Sequence, residues 1–109
     1  MEDETIFFIL RIWEKAKEIE GYDSSIWRHD FAGAWIRRDS YGKHTKYGWS
    51  IVHLRPLSQG GSDELENLLP LHWVNQQQKA SDYPEFKTKL TSSENHNIEK
   101  ERKWIIRKK

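Results

Sequence analysis

His53 closes a run rich in aromatic and β-branched residues, Tyr47 to Leu54 (YGWSIVHL), and its imidazole is the side chain best suited to proton exchange near neutral pH. Alone, a histidine so placed is more often a satisfied core residue than a reactive one. The residues that follow shift that balance. Arg55 comes two positions later, hence on the same side of an extended chain, and its guanidinium can form paired hydrogen bonds to phosphate. Gly60 and Gly61 form a tight surface turn whose N–H groups can face an anion. Asn67 follows, and a breaker-poor stretch from His72 to Ser81 reads as a short helix. Lys79 stands three residues after Gln76 on that helix, on the same face, where phosphate contact and plain solvation are equally open to it. Arg37 and Arg38 point to opposite faces of their own segment, so at most one of them reaches a shared cleft. His29, His44 and His96 have no spacing that suits a ligand set.

The elements that must position these residues follow from the patterning. Glu2, Asp3 and Glu4 precede Ile6, Phe7, Ile9, Leu10 and Trp13, with Lys15 and Lys17 behind. Such spacing predicts a helix over about 3–17, with acids and bases placed to suit its dipole. Gly21 and Asp23-Ser24-Ser25 punctuate the segment after it as a loop. Ala32 to Arg38 and Tyr47 to Leu54 read as two antiparallel strands joined by the turn-rich Asp39–Thr45. Leu68, Leu69 and Leu71 are core candidates, as are Trp35, Trp49 and Trp73. Thr91 to Asn97 is polar and loop-like, and Trp104-Ile105-Ile106 fits strand or helix equally. The expected class is α+β in a single domain of 109 residues, with a core over about 26–84 and a C-terminal extension over about 85–109.

A strand ending in histidine, a Gly-Gly loop, an asparagine and then a short helix is more specific than any one of its parts. In full the stretch reads YGWSIVHLRPLSQGGSDELENLLPLHWVNQQQKASD, and it resembles the HNH endonucleases. The likeness begins at GYDSSIWRHDFAGAWI, similar to the lead-in of a bacterial and phage subgroup, and covers roughly residues 12–84. It implies a ββα-metal core, a two-stranded antiparallel hairpin and a helix, with an added N-terminal helix and C-terminal segment. It also implies that His53 matches the general base, that Asn67 matches a brace holding the loop, and that Lys79 matches the lysine after the last motif letter. In that family a divalent metal offsets charge on the scissile phosphate and the leaving oxygen.

Two positions depart from the family pattern. The residue before the base, an aspartate or histidine metal ligand in the family, is Val52, and the last motif letter falls on Gln76. Valine has no lone pair, so an anionic oxygen donor is lost outright. Glutamine keeps an amide oxygen but carries it about 1.5 Å farther out than asparagine does, whereas metal–oxygen distances vary by only a few tenths of an ångström. Asn75 is rotated by about 100° from Gln76 on a helix. Together with His72, which is counted among the candidate phosphate contacts, it is the neighbour able to re-form such a site in shifted register.

Composition narrows the classes. No cysteine is present, which excludes a disulfide framework and a Cys-type zinc site. No apolar run is long enough to span a bilayer and the first residues are acidic, so a cytoplasmic protein, encoded by a bacterium or phage, with no membrane partner is expected. Net charge is +1, yet Ile26 to Leu57 carries Arg28, Arg37, Arg38, Lys43, Lys46 and Arg55 against Asp30 and Asp39, and the chain ends Arg107-Lys108-Lys109. Local positive excess attracts phosphate.

The resulting expectation is a catalytically inactive HNH-fold protein that binds nucleic acid or a phosphate-containing nucleotide, with no cofactor. A compact protein of this kind could sequester a nucleotide second messenger, as some phage-encoded anti-defence proteins do. The alternatives are an active HNH endonuclease using Mg, Mn, Ni or Zn, and a protein-interaction module working through the former active face. A homo-oligomer is open.

Overall fold

The computed structural model describes residues 2–107, with side chains from Thr5 onward; Lys108 and Lys109 of the basic terminus lie outside the described residues. The chain is a small α+β fold of two helices and three antiparallel hairpins. Helix α1 spans Glu2–Trp13, and a first hairpin pairs β1 (Trp27–His29) with β2 (Trp35–Arg37). Strand β3 (Trp49–His53) pairs with β4 (Leu68–His72), and helix α2 (Trp73–Lys79) follows β4 directly. A last hairpin, β5 (Glu85–Ser93) with β6 (His96–Ile105), packs against α2. Among the described residues no helix is long and apolar enough to cross a membrane.

One expected pairing is corrected. Ala32–Arg38 and Tyr47–Leu54 do not form one ladder: β2 pairs with β1, and β3 pairs with β4. The cause lies in Asp30. Its Oδ1 accepts the backbone N–H of Ala32 and of Ala34, closing an Asx-type turn that folds β2 back on β1. Likewise, the polar stretch Thr91–Asn97 is not a loop, since Thr91–Ser93 end β5 and His96–Asn97 begin β6. Trp104 and Ile105 belong to β6. Helix α1 also closes earlier than its pattern suggests, because Lys17 exchanges backbone hydrogen bonds with His29 and so joins β1.

The core gathers Trp13, Ala16, Ile36 and Trp49, with the Trp13 and Trp49 rings 5.3 Å apart. Leu68 and Leu71 are buried beside it. Trp35 is buried as expected of a core residue, whereas Trp73 is half-buried, stacked on His44, and donates its indole N–H to Thr45 O. Arg28, part of the basic run, is buried and donates to the carbonyls of Ser24, Glu14 and Ala16. Its charge therefore organises the loop after α1 instead of facing a ligand.

Asp30 is also the joint between layers. Its Oδ2 accepts from His72 N at 2.9 Å and from Asn75 Nδ2 at 3.0 Å, so one buried carboxylate ties the first hairpin to the β4–α2 junction. Burial pushes this carboxyl above the ordinary carboxylate range, and the four N–H donors pull it back. Every partner is a donor, so the ionised form satisfies both oxygens and a protonated one would not.

Candidate functional site

Strand β3, the start of the loop after it, and the C-terminal half of helix α2 with the residues that follow surround a cavity of about 370 Å³. That lies in the lower part of the range of small-ligand clefts, about 300–1,000 Å³. Its wall includes Val52, His53, Pro56, Gln76, Lys79 and Ser81. Alternation along β3 puts Ser50 and Val52 on one face, and helix α2 presents Gln76 to it: Ser50 Oγ donates to Gln76 Oε1 at 2.6 Å. Lys79 stands one helical turn beyond Gln76 and shares the same cavity.

Asn67 fixes the loop that follows His53. Its Oδ1 accepts the Arg55 N–H at 2.9 Å, and its Nδ2 donates to Arg55 O at 3.0 Å and to Ser62 O at 2.7 Å. The two ends of the loop are thereby clamped by a single side chain. The glycines make the return possible. Gly60 adopts φ +89°, and a Cβ on Gly61 would stand 1.8 Å from Arg55 O, so no other residue fits there without moving the backbone. His53, half-buried at the end of β3, is held by Asp63, whose Oδ1 lies 2.7 Å from His53 Nε2.

Lys79 is buried, 2 % exposed, with its ammonium 5.0 Å from the Phe86 ring centroid. It donates to the backbone oxygen of Asp82 at 3.0 Å, and among the described residues no carboxylate lies within ion-pair distance. Neither full solvation nor a paired charge describes it. Burial lowers its pKa, while the charge of Asp82 raises it. At the end of α2 Ala80 takes φ 49°, ψ −130°, a backbone conformation that L-residues rarely adopt, in the cavity wall.

Other candidates lie elsewhere. His72 is buried; its Nδ1 accepts from Val74 N as the N-cap of α2, and its Nε2 bonds Lys46 O at 2.8 Å, so both ring nitrogens serve the fold and neither is left for phosphate. Asn75 is fully buried, bonded to Asp30 Oδ2, to Leu90 O and to the N–H groups of Lys89 and Leu90. The shifted-register alternative therefore has no free donor or ligand to use. Arg55 bends back to donate to Gln59 O, with its guanidinium 5.8 Å from the Tyr83 ring, next to the cavity but not lining it. Arg37 pairs with Asp39 at 3.0 Å over the Trp27 ring, and Arg38 is exposed; neither reaches the cavity.

Sequence reasoning missed three partners: Asp63 on His53, Ser50 on Gln76, and the Asp30–Asn75 joint. Ser50 was within reach of the strand alternation, since it shares the face of Val52. Asp63 was not, because its loop has no periodicity to place it.

The residues present do not fit a divalent metal. Val52 offers no donor atom, the Gln76 amide oxygen is a neutral donor already drawn to Ser50, and the His53 Nε2 is bonded to Asp63. Among the described residues no three His, Asp or Glu side chains converge as a ligand set. Comparison with protein-family models, curated proteins and solved structures gave no match for this chain.

Proposed function

We propose that the β3–β4–α2 unit is a ββα-metal site of the HNH kind that no longer catalyses hydrolysis and instead binds nucleic acid or a phosphate-containing nucleotide. The observation that carries this reading is the convergence of His53, Val52, Gln76 and Lys79 on one cavity, with Asn67 clamping the loop between the strands. Those are the places the HNH resemblance assigns to base, two metal ligands, following lysine and brace. The chemistry at the two ligand places supports loss of hydrolysis, because Val52 offers no oxygen to a cation and the Gln76 amide oxygen already accepts from Ser50.

Calorimetry of the full chain against oligonucleotides and against cyclic and ADP-ribose-type nucleotides tests the binding half, and binding to neither class refutes it. Plasmid incubation with magnesium, manganese, nickel or zinc tests the other half. No nicking is expected. Cleavage abolished by His53→Ala would establish an active endonuclease instead.

A further inference from the structure

The substitutions do more than remove a metal: they change which charge the cavity accepts. A cation site needs oxygen lone pairs, preferably anionic, pointing into it. Among the described residues no carboxylate lines this cavity, and its polar wall consists of His53, Gln76, Lys79 and Ser81. Ser50 ties the Gln76 side chain by its oxygen, which leaves the amide N–H groups as the available polar atoms of that side chain. Lys79 brings a buried ammonium with a backbone carbonyl as its partner and no ion pair among the described residues. Of the acids nearby, Asp63 is bonded to His53, and the Asp82 carboxylate acts on Lys79 from beyond ion-pair distance. Asp82 reaches Lys79 directly through its main-chain oxygen.

We infer that the cavity between β3 and α2 is a metal-independent anion site, in which the Gln76 amide N–H groups and the Lys79 ammonium hold a nucleotide phosphate group directly. This rests on the binding reading above and specifies its chemistry: phosphate recognition by hydrogen-bond donors and a buried positive charge, without a bridging cation. A buried ammonium held by one main-chain carbonyl, with no ion pair among the described residues, carries a desolvation cost that an arriving anion would offset. Ser50 acts as a positioning residue that fixes which end of the amide faces the ligand. The same phosphate could belong to a mononucleotide or to a nucleic-acid backbone, and the experiment separates these sources.

The test titrates the full chain with inorganic phosphate, with AMP and with a short oligonucleotide, each in chelator and again in excess magnesium, reading calorimetric heats and amide shifts. Phosphate and AMP are expected to bind in chelator with affinity unchanged by magnesium, and an oligonucleotide that displaces phosphate would mark the backbone as a ligand source. Gln76→Glu turns the donor into an anion, and Lys79→Met removes the charge at similar volume; each is expected to weaken phosphate binding by about tenfold or more. Melting curves confirm that both variants are folded, and Ser50→Ala supplies a milder perturbation expected to weaken binding in the same direction. Binding that requires magnesium overturns the inference. So does wild-type affinity in folded Gln76→Glu and Lys79→Met. If oligonucleotides or nucleotides bind the parent and these folded variants with equal affinity, the anion site falls and the broader binding reading stands. If nothing binds, both fall.

Discussion

On the proposed HNH reading, placing ligands at positions 52 and 76 should create a metal site, and the cost and gain can be worked from the structure. In Val52→Asp with Gln76→Asn, the new carboxylate takes the place of a valine that is 8 % exposed. Losing that burial removes about 1.5–3 kcal/mol. Partial desolvation of the carboxylate adds to this, and the Lys79 ammonium in the same wall offsets some of it. The shortened amide at position 76 would also retract from Ser50, at a cost of about 1 kcal/mol for the lost hydrogen bond. A net loss of about 3 kcal/mol leaves a domain of ordinary stability folded, with its melting temperature lower by about 12 °C. Freed from Ser50, the amide oxygen then faces the introduced carboxylate, and a divalent ion can be held between them. Free metal at about one hundred times its dissociation constant restores about 2.7 kcal/mol.

The assay is thermal unfolding of parent and double variant in chelator and in millimolar manganese or magnesium, together with plasmid nicking. Expected are a parent melting temperature indifferent to metal, and a double variant low in chelator that recovers by about 10 °C with metal. Nicking should appear only in the double variant and disappear on adding His53→Ala, with the metal-induced rise in melting temperature retained. Because Asp63 occupies His53 Nε2, Asp63→Ala in the double variant should raise the nicking rate. An equal metal response in the parent would show that the ligands were never missing. A double variant blind to metal would show that positions 52 and 76 do not face a common centre, and the ββα-metal reading would fail with it.

Three further perturbations address the scaffold. Asn67→Ala removes three hydrogen bonds that clamp loop 54–67, and at about 1 kcal/mol each the loss is about 3 kcal/mol, read as a melting temperature lower by about 12 °C and faster proteolysis within the loop. Asp30→Asn places an NH₂ group against one of two pairs of N–H donors, and two buried donors left without an acceptor cost about 4 kcal/mol, so chemical denaturation should show a midpoint shifted far below the parent's. The His72 pKa is lowered, first by burial and against the Lys46 carbonyl bond that raises it, and the His29 pKa is lowered by burial and by Lys17. A depressed folded-state pKa contributes stability above the unfolded value of about 6.5 that is lost as pH falls. Melting temperature should therefore hold steady above about pH 7 and decline below about pH 6.5, with a shallower decline in His72→Asn; a flat profile down to about pH 5.5 would contradict this.

What was legible in the chain was whatever local chemistry determines. The strand ending at His53, the glycine turn, Asn67 and a helix opening beside His72 each carry a signal in residue type and order, so the arrangement around the cavity could be anticipated. Pairing partners were not legible in the same way. Trp35 and Ile36 are buried on β2 whether that strand pairs forward or backward, and the deciding contact is the Asp30 carboxylate, whose Oδ2 reaches His72 and Asn75 far along the chain. The β5–β6 hairpin was hidden for a different reason. Phe86, Thr88 and Thr91 carry the buried face of β5, two of them polar in type, while β6 is exposed almost throughout, so hydrophobic alternation had nothing to report. Asn75, whose side chain is spent on the β5 backbone, ties that hairpin to α2. The same contacts explain why the site cannot repair itself by slipping one residue along α2. Asn75 and His72, the neighbours with ligating atoms, are held by the fold through their own hydrogen bonds, so on the proposed reading Gln76 is the residue of α2 left to meet a ligand.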